Sequence, residues 1–180
     1  MKPDSGRPNL PSTLIEDTST TLPSGLESTF REHHGMVFRT AYRITGNAAD
    51  AEDVLQVVFL RLLRRQPGVE DVEHHESYLR RAAINASLDV IRSRQAARTV
   101  ELPLDLAQGD TPELRRALTR ALAQLKPRAA EIFTLRFLEG FTNPEIAKML
   151  GISQVLVAVT VYRARQQLQR ELSSFLGGRP

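Results

Sequence analysis

The stretch LGISQVLVAVTVYRAR, residues 150–165, decides the fold because its two halves point to different structures. Gly151 and Ser153 are placed to end one helix and cap the next. The run VLVAVTV that follows is so rich in β-branched side chains that local propensity alone makes it a strand. Periodicity separates the two. Val157, Val161, Ala164, Leu168 and Leu172 recur at steps of four, three, four and four, so one apolar face continues into the strongly helical RARQQLQREL. The stretch is expected to be a capped helix, with no charged side chain between Ser153 and Arg163.

Upstream, TNPE at residues 142–145 has the Thr and Glu spacing of a capping box and opens a short helix over residues 144–150. A short helix, a turn containing glycine and a longer second helix form the helix-turn-helix arrangement, whose second helix enters the major groove with its N-terminal residues at the base edges. Ile146, Ala147 and Leu150 are its inward residues. Before it, Pro127 opens a helix to about residue 138, and Thr111 caps another that begins at Pro112. TVELPLDLAQGDT, residues 99–111, has a proline, a glycine and no helical period, and is expected to be a flexible linker. The first half of the chain shows three helical stripes, over about residues 26–44, 48–65 and 77–97. Residues 1–25 form a polar, Pro/Ser/Thr-rich tail that lacks the apolar core of a secretion signal and is expected to be disordered. The predicted architecture is all-α: a three-helix domain over residues 26–98 and a four-helix, helix-turn-helix domain over residues 112–176.

Composition narrows the function. The 180 residues are 41% hydrophobic and 25% charged, a globular balance. No cysteine is present, which excludes disulfides and thiolate metal sites and fits a reducing cytoplasm. No apolar run approaches the roughly 20 residues of a membrane span, so no membrane insertion is expected. The net charge of +3 is modest, but nearly all of the 24 basic residues are arginine, which suits phosphate and base-edge contacts. Residues 80–98 carry Arg80, Arg81, Arg92, Arg94 and Arg98 against the single acid Asp89, an electrostatic footprint for nucleic acid or a solvated helix face. No nucleophile–base pair or glycine-rich phosphate loop is seen, so the chain is not expected to be an enzyme or to need a cofactor. His33, His34, His74 and His75 lack cysteine or spaced carboxylate partners and are expected to bind no metal.

EIFTLRFLEGFTNPEIAKMLGIS followed by VYRARQQLQREL resembles region 4 of bacterial sigma factors. GNAADAEDVLQVVFLRLLRR followed by YLRRAAINASLDVIRSR resembles their region 2. The two in this order, with only a short linker between them, resemble the extracytoplasmic-function group. The likeness spans about residues 26–172. It implies a factor that binds core RNA polymerase and recognises the −10 and −35 elements of promoter DNA. Asp50, Glu52, Asp53, Gln56 and Phe59 match a family pattern that grips the polymerase, although the three acids would also favour a helix N-terminus electrostatically. Val57 stands where the family usually has an acid. On the third helix Arg80, Arg81, Asn85, Asp89, Arg92 and Arg94 fall on the −10 face. The loop over residues 67–76 corresponds to a segment that captures a flipped base, but it holds no aromatic residue.

The recognition helix departs from the family. Positions often held by Thr, Lys, Ser and Arg are here Leu156, Ala158, Val159 and Thr160. Thr142, Asn143, Ser153, Gln154, Leu156, Thr160, Tyr162, Arg163 and Arg165 make up the expected −35 surface. Three readings stay open: apolar contact with thymine methyls, a weakened −35 grip, or a protein interface in which Leu156 and Val159 suit an anti-sigma factor or an activator. Two other functions also stand: a helix-turn-helix regulator acting without polymerase, and a sigma-like adaptor that binds protein only.

Overall fold

A computed structural model describes residues 24–64, 75–97 and 112–176. Most of the expected tail, the linker, Thr111, His74 and Arg98 lie outside the described residues. Among the described residues there are seven helices and no strand: α1 (Ser24–Thr45), α2 (Ala48–Arg64), α3 (His75–Ala97), α4 (Pro112–Gln124), α5 (Pro127–Phe137), α6 (Asn143–Leu150) and α7 (Gln154–Leu176). The stretch at residues 154–165 is helical, as its period requires.

Local chemistry sets the boundaries. Gly46 takes a positive φ of 68° between α1 and α2, and Asn47 Oδ1 then accepts from the Asp50 amide at 3.1 Å to start α2. Pro127 begins α5, where a missing N–H costs nothing. Past the end of α5, the amides of Glu139 and Phe141 return to the carbonyls of Thr134 and Leu135, each at 3.0 Å. Gly140, at φ 82°, makes that reversal possible.

Two apolar clusters share α3. On one side Leu79, Ala83 and Ala86 pack with Val37 and Ala41 of α1 and Val54, Val58 and Phe59 of α2. On the other, Ile84, Leu88 and Ile91 join Ala121, Leu122 and Leu125 at the end of α4 and Ala130, Ile132 and Leu135 of α5. The second cluster continues through Ile146 and Ala147 of α6 to Val157, Ala164 and Leu168 of α7. The three-helix and four-helix units therefore meet along α3 through a continuous apolar seam. Burying side chains of this size is worth about 1.5–3 kcal/mol each, so the seam is a substantial contact. Among the described residues no single helix is long and apolar enough to cross a membrane.

Candidate nucleic-acid interface

The helix-turn-helix is assembled from its caps. Thr142 receives the Glu145 amide on its hydroxyl, while the Glu145 carboxylate accepts from the Thr142 amide at 2.7 Å and the hydroxyl at 2.6 Å. These bonds hold the Glu145 carboxyl below its ordinary value. Gly151, left-handed at φ 63° and ψ 38°, ends α6, and the Ile152 amide returns to the Ala147 carbonyl at 3.0 Å. Ser153 Oγ then accepts the Leu156 amide at 3.2 Å and starts α7. The two helices turn through 111°, within the range of this motif. Ile146, Ala147, Val157, Ala164 and Leu168 are buried behind them, with Leu150 and Val161 partly buried.

The outer face of α7 is left to solvent. Val155 is 73% exposed, Leu156 50% and Val159 39%, with Tyr162 beyond them at 63%. The sequence reading had placed Leu156 and Thr160 on this face but had not singled out Val155, whose one signal was its position two residues after the cap. The hydroxyl of Thr160 donates to the Leu156 carbonyl at 2.7 Å, and Tyr162 OH accepts from Gln166 at 2.6 Å. Gln154, Arg163 and Arg165 are exposed on the same helix; Thr142 is exposed and Asn143 half-buried at the turn.

The five polymerase-facing candidates on α2 divide. Glu52, Asp53 and Gln56 are exposed. Asp50 is buried and paired with Arg94 of α3, and Phe59 is buried with its ring edge-on to Phe30. Asp50 and Phe59 are thus packed inward in this conformation. Burial pushes the Asp50 carboxyl up from its ordinary value, against the opposing pull of Arg94. What the sequence reading missed is a second apolar strip on α2: Val57, Leu60 and Leu63 are all exposed. Leu60 and Leu63 border a groove of ≈ 340 Å³ with Leu26, Glu27, Phe30, Gln56 and Phe59. The signal was present, since VLQVVFLRLL carries more apolar residues than one helix face can bury.

The −10 candidates on α3 meet the C-terminal unit. Arg80 pairs with Glu139 of the α5–α6 turn and, at 2.5 Å, with Glu76 on its own helix. Arg43 Nη1 and Thr40 Oγ1 donate to the same Glu139 at 3.2 and 3.1 Å. Arg81 donates to Glu131 of α5 at 2.9 Å, Asn85 donates to it at 3.4 Å, and Arg128 approaches its other oxygen at 3.0 Å. The side chains of Glu139 and Glu131 are only 1% and 4% exposed. Arg92 reaches the Leu125 carbonyl at 3.5 Å and the exposed Asp89 at 3.4 Å, and Arg94 turns inward to Asp50. The loop expected to capture a flipped base lies mostly outside the described residues. Among the described residues no group of three or more His, Asp or Glu side chains could hold a metal ion.

A family model described as Sigma-70 region 2 matches residues 29–97, and one described as Sigma-70, region 4 matches residues 115–168. The ECF RNA polymerase sigma factor SigE of Mycolicibacterium smegmatis is 35% identical over 158 residues, which span 79% of this chain and 60% of that protein. The RNA polymerase sigma-E factor of Streptomyces avermitilis is 32% identical over 153 residues, spanning 82% of this chain and 85% of that protein. A solved complex of the sigma factor RpoE with the anti-sigma factor NepR from Bartonella quintana shares the fold. Its TM-score is 0.54 at 20% identity, covering 84% of this chain and 98% of that one.

Proposed function

Because the chain belongs to the extracytoplasmic-function group of the sigma-70 family, we infer that it binds core RNA polymerase, directs it to promoters and performs no chemistry of its own. The observation that carries this is the coexistence of two unlike surfaces in one chain. One is α2, with exposed acids beside an apolar strip, a protein-binding combination. The other is a capped helix-turn-helix with no acidic residue between Ile146 and Arg170. A regulator acting on DNA alone has no use for the first surface.

Polymerase contact is assigned to Glu52, Asp53 and Gln56 together with Val57, Leu60 and Leu63, while Asp50 and Phe59 fix α2 from behind. Contact with the −10 element is assigned to Arg80, Arg81, Asn85, Asp89 and Arg92, with Arg94 acting through Asp50. Contact with the −35 element is assigned to Thr142, Asn143, Gln154, Leu156, Thr160, Tyr162, Arg163 and Arg165, with Ser153 as cap. The arrangement with Arg80, Arg81 and Asn85 on Glu139 and Glu131 is the resting form, because promoter phosphates and these carboxylates compete for the same donors. Docking on polymerase draws α3 away from α4 and α5. An anti-sigma factor that favours the closed form would silence the chain, and the cytoplasm is where all these partners meet.

The test is a core-polymerase pull-down with Asp53→Ala and Gln56→Ala combined, followed by transcription in vitro from a promoter library. Weaker capture and lower output are expected. Undiminished capture would remove the α2 assignment, and absence of promoter-dependent transcripts from the unaltered chain would remove the function.

A further inference from the structure

The outer face of the first two turns of α7 has almost nothing with which to hydrogen-bond a base. Ser153 Oγ is engaged by the Leu156 amide at 3.2 Å and the Thr160 hydroxyl by the Leu156 carbonyl at 2.7 Å. Between these residues lie Gln154, Val155, Leu156, Val157, Ala158 and Val159, of which only Val157 is buried. Gln154 supplies the one side-chain amide, and the remaining exposed surface is methyl groups. Yet the surroundings suit a polyanion. From residue 146 to residue 170 there are four basic side chains, Lys148, Arg163, Arg165 and Arg170, all exposed, and no acidic one. A helix that reaches the major groove with an apolar tip can still distinguish bases there, because thymine alone presents a C5-methyl group on the groove edge.

We propose that Val155, Leu156 and Val159 read the −35 element through thymine C5-methyl groups, with Gln154 supplying the hydrogen bond to a neighbouring adenine and Arg163 and Arg165 anchoring phosphates. This rests on the assignment of α6 and α7 as the −35 reader. The side chains stand on a rigid support, since the buried Val157, Ala164 and Leu168 fix the opposite face of the same helix. Apolar contact of this kind carries no charge, so the specific part of recognition depends little on salt and the arginines supply the salt-dependent part.

The experiment uses holoenzyme made from core polymerase and the full chain. A promoter with a randomised −35 region is selected by transcription. Each enriched thymine is then replaced by deoxyuridine, which removes the methyl and leaves every hydrogen-bonding group in place. A loss of about fourfold per contacted methyl is expected from the burial of one carbon. Cytosine at the same position should be rejected, and 5-methylcytosine should recover part of the signal. Leu156→Ser with Val159→Ser, both on the exposed face, should abolish sensitivity to deoxyuridine. Enrichment of sequences without thymine, or deoxyuridine promoters transcribed as well as thymine ones, would overturn the proposal while leaving the sigma function standing. If promoter choice were unchanged in the double serine variant, the patch would belong to a protein partner and the proposal would also fail. No transcription from any template would instead remove the function on which it rests.

Discussion

Asp50 sits four residues before Val54 and eight before Val58, and all three are buried on one face of α2. Its carboxylate is compensated by Arg94, whose side chain is one-third exposed. Replacing Arg94 by alanine leaves that carboxylate without its cation, at a cost of about 1–3 kcal/mol. The cost depends on pH with a definite sign. A carboxyl whose value is raised on folding contributes its stability fully below the ordinary value of 3.8 and loses it as pH rises through the raised value. Arg94→Ala should therefore hurt most near neutrality and least where Asp50 takes up a proton, which urea titrations across that range would show. An equal loss at every pH would mean that Arg94 contributes packing only. The inward direction of Asp50 was legible in the spacing, since a four-residue step from Val54 puts it on the buried stripe. Asp50 matches the family pattern as well, and Phe59 fits that pattern and the core stripe equally.

At the scale of elements, the β-branched run of α7 shows how period prevails over propensity. Val157 is fully buried while Val155 and Val159 are exposed, a division that steps of three and four predict and a strand's alternation does not. The turn before it depends on Gly151. A Cβ there would meet no atom within 4 Å, so only the positive φ opposes a side chain. Gly151→Ala should cost about 1–2 kcal/mol from the left-handed backbone alone, read as a lower urea midpoint with the far-ultraviolet signal of the folded state unchanged. The α6 cap is conditional on protonation. Glu145, lowered by Thr142, contributes above its ordinary value of 4.5 and loses that contribution as pH falls through its lowered value. Protection of the Thr142 and Glu145 amides against exchange should fall in that acid range, and a flat profile would show that the carboxylate does not hold the cap. Caps and helix order were readable because they are written in residues three or four apart. The strip formed by Val57, Leu60 and Leu63 was readable only as surplus, because sequence does not say which of two apolar faces is left uncovered.

At the scale of the whole molecule, the contact between α3 and the C-terminal unit was not legible at all. The polar contacts between the three-helix and four-helix units join residues 33 to 99 positions apart, such as Arg92 of α3 with Leu125 and Thr40 of α1 with Glu139, and no local pattern couples them. The arginines alone suggested a surface open to nucleic acid. Glu131→Gln with Glu139→Gln should leave the two units folded and loosen their contact, since each carboxylate serves three donors. With no native cysteine, Ala49→Cys and Gln169→Cys provide two unique exposed labelling sites, and energy transfer between them should fall in the double glutamine variant. Its affinity for promoter DNA without polymerase should rise. Unchanged transfer and affinity would show that the apolar seam closes the molecule unaided. Pairing the arginines at home also bears on supply. A genome offers about 10⁶–10⁹ non-specific sites to any basic surface, enough to soak up a scarce protein before it meets its enzyme. On the proposed function, glutamates that occupy the α3 part of that surface leave fewer donors open to non-specific DNA, so that more of the chain stays in the mobile pool to meet polymerase.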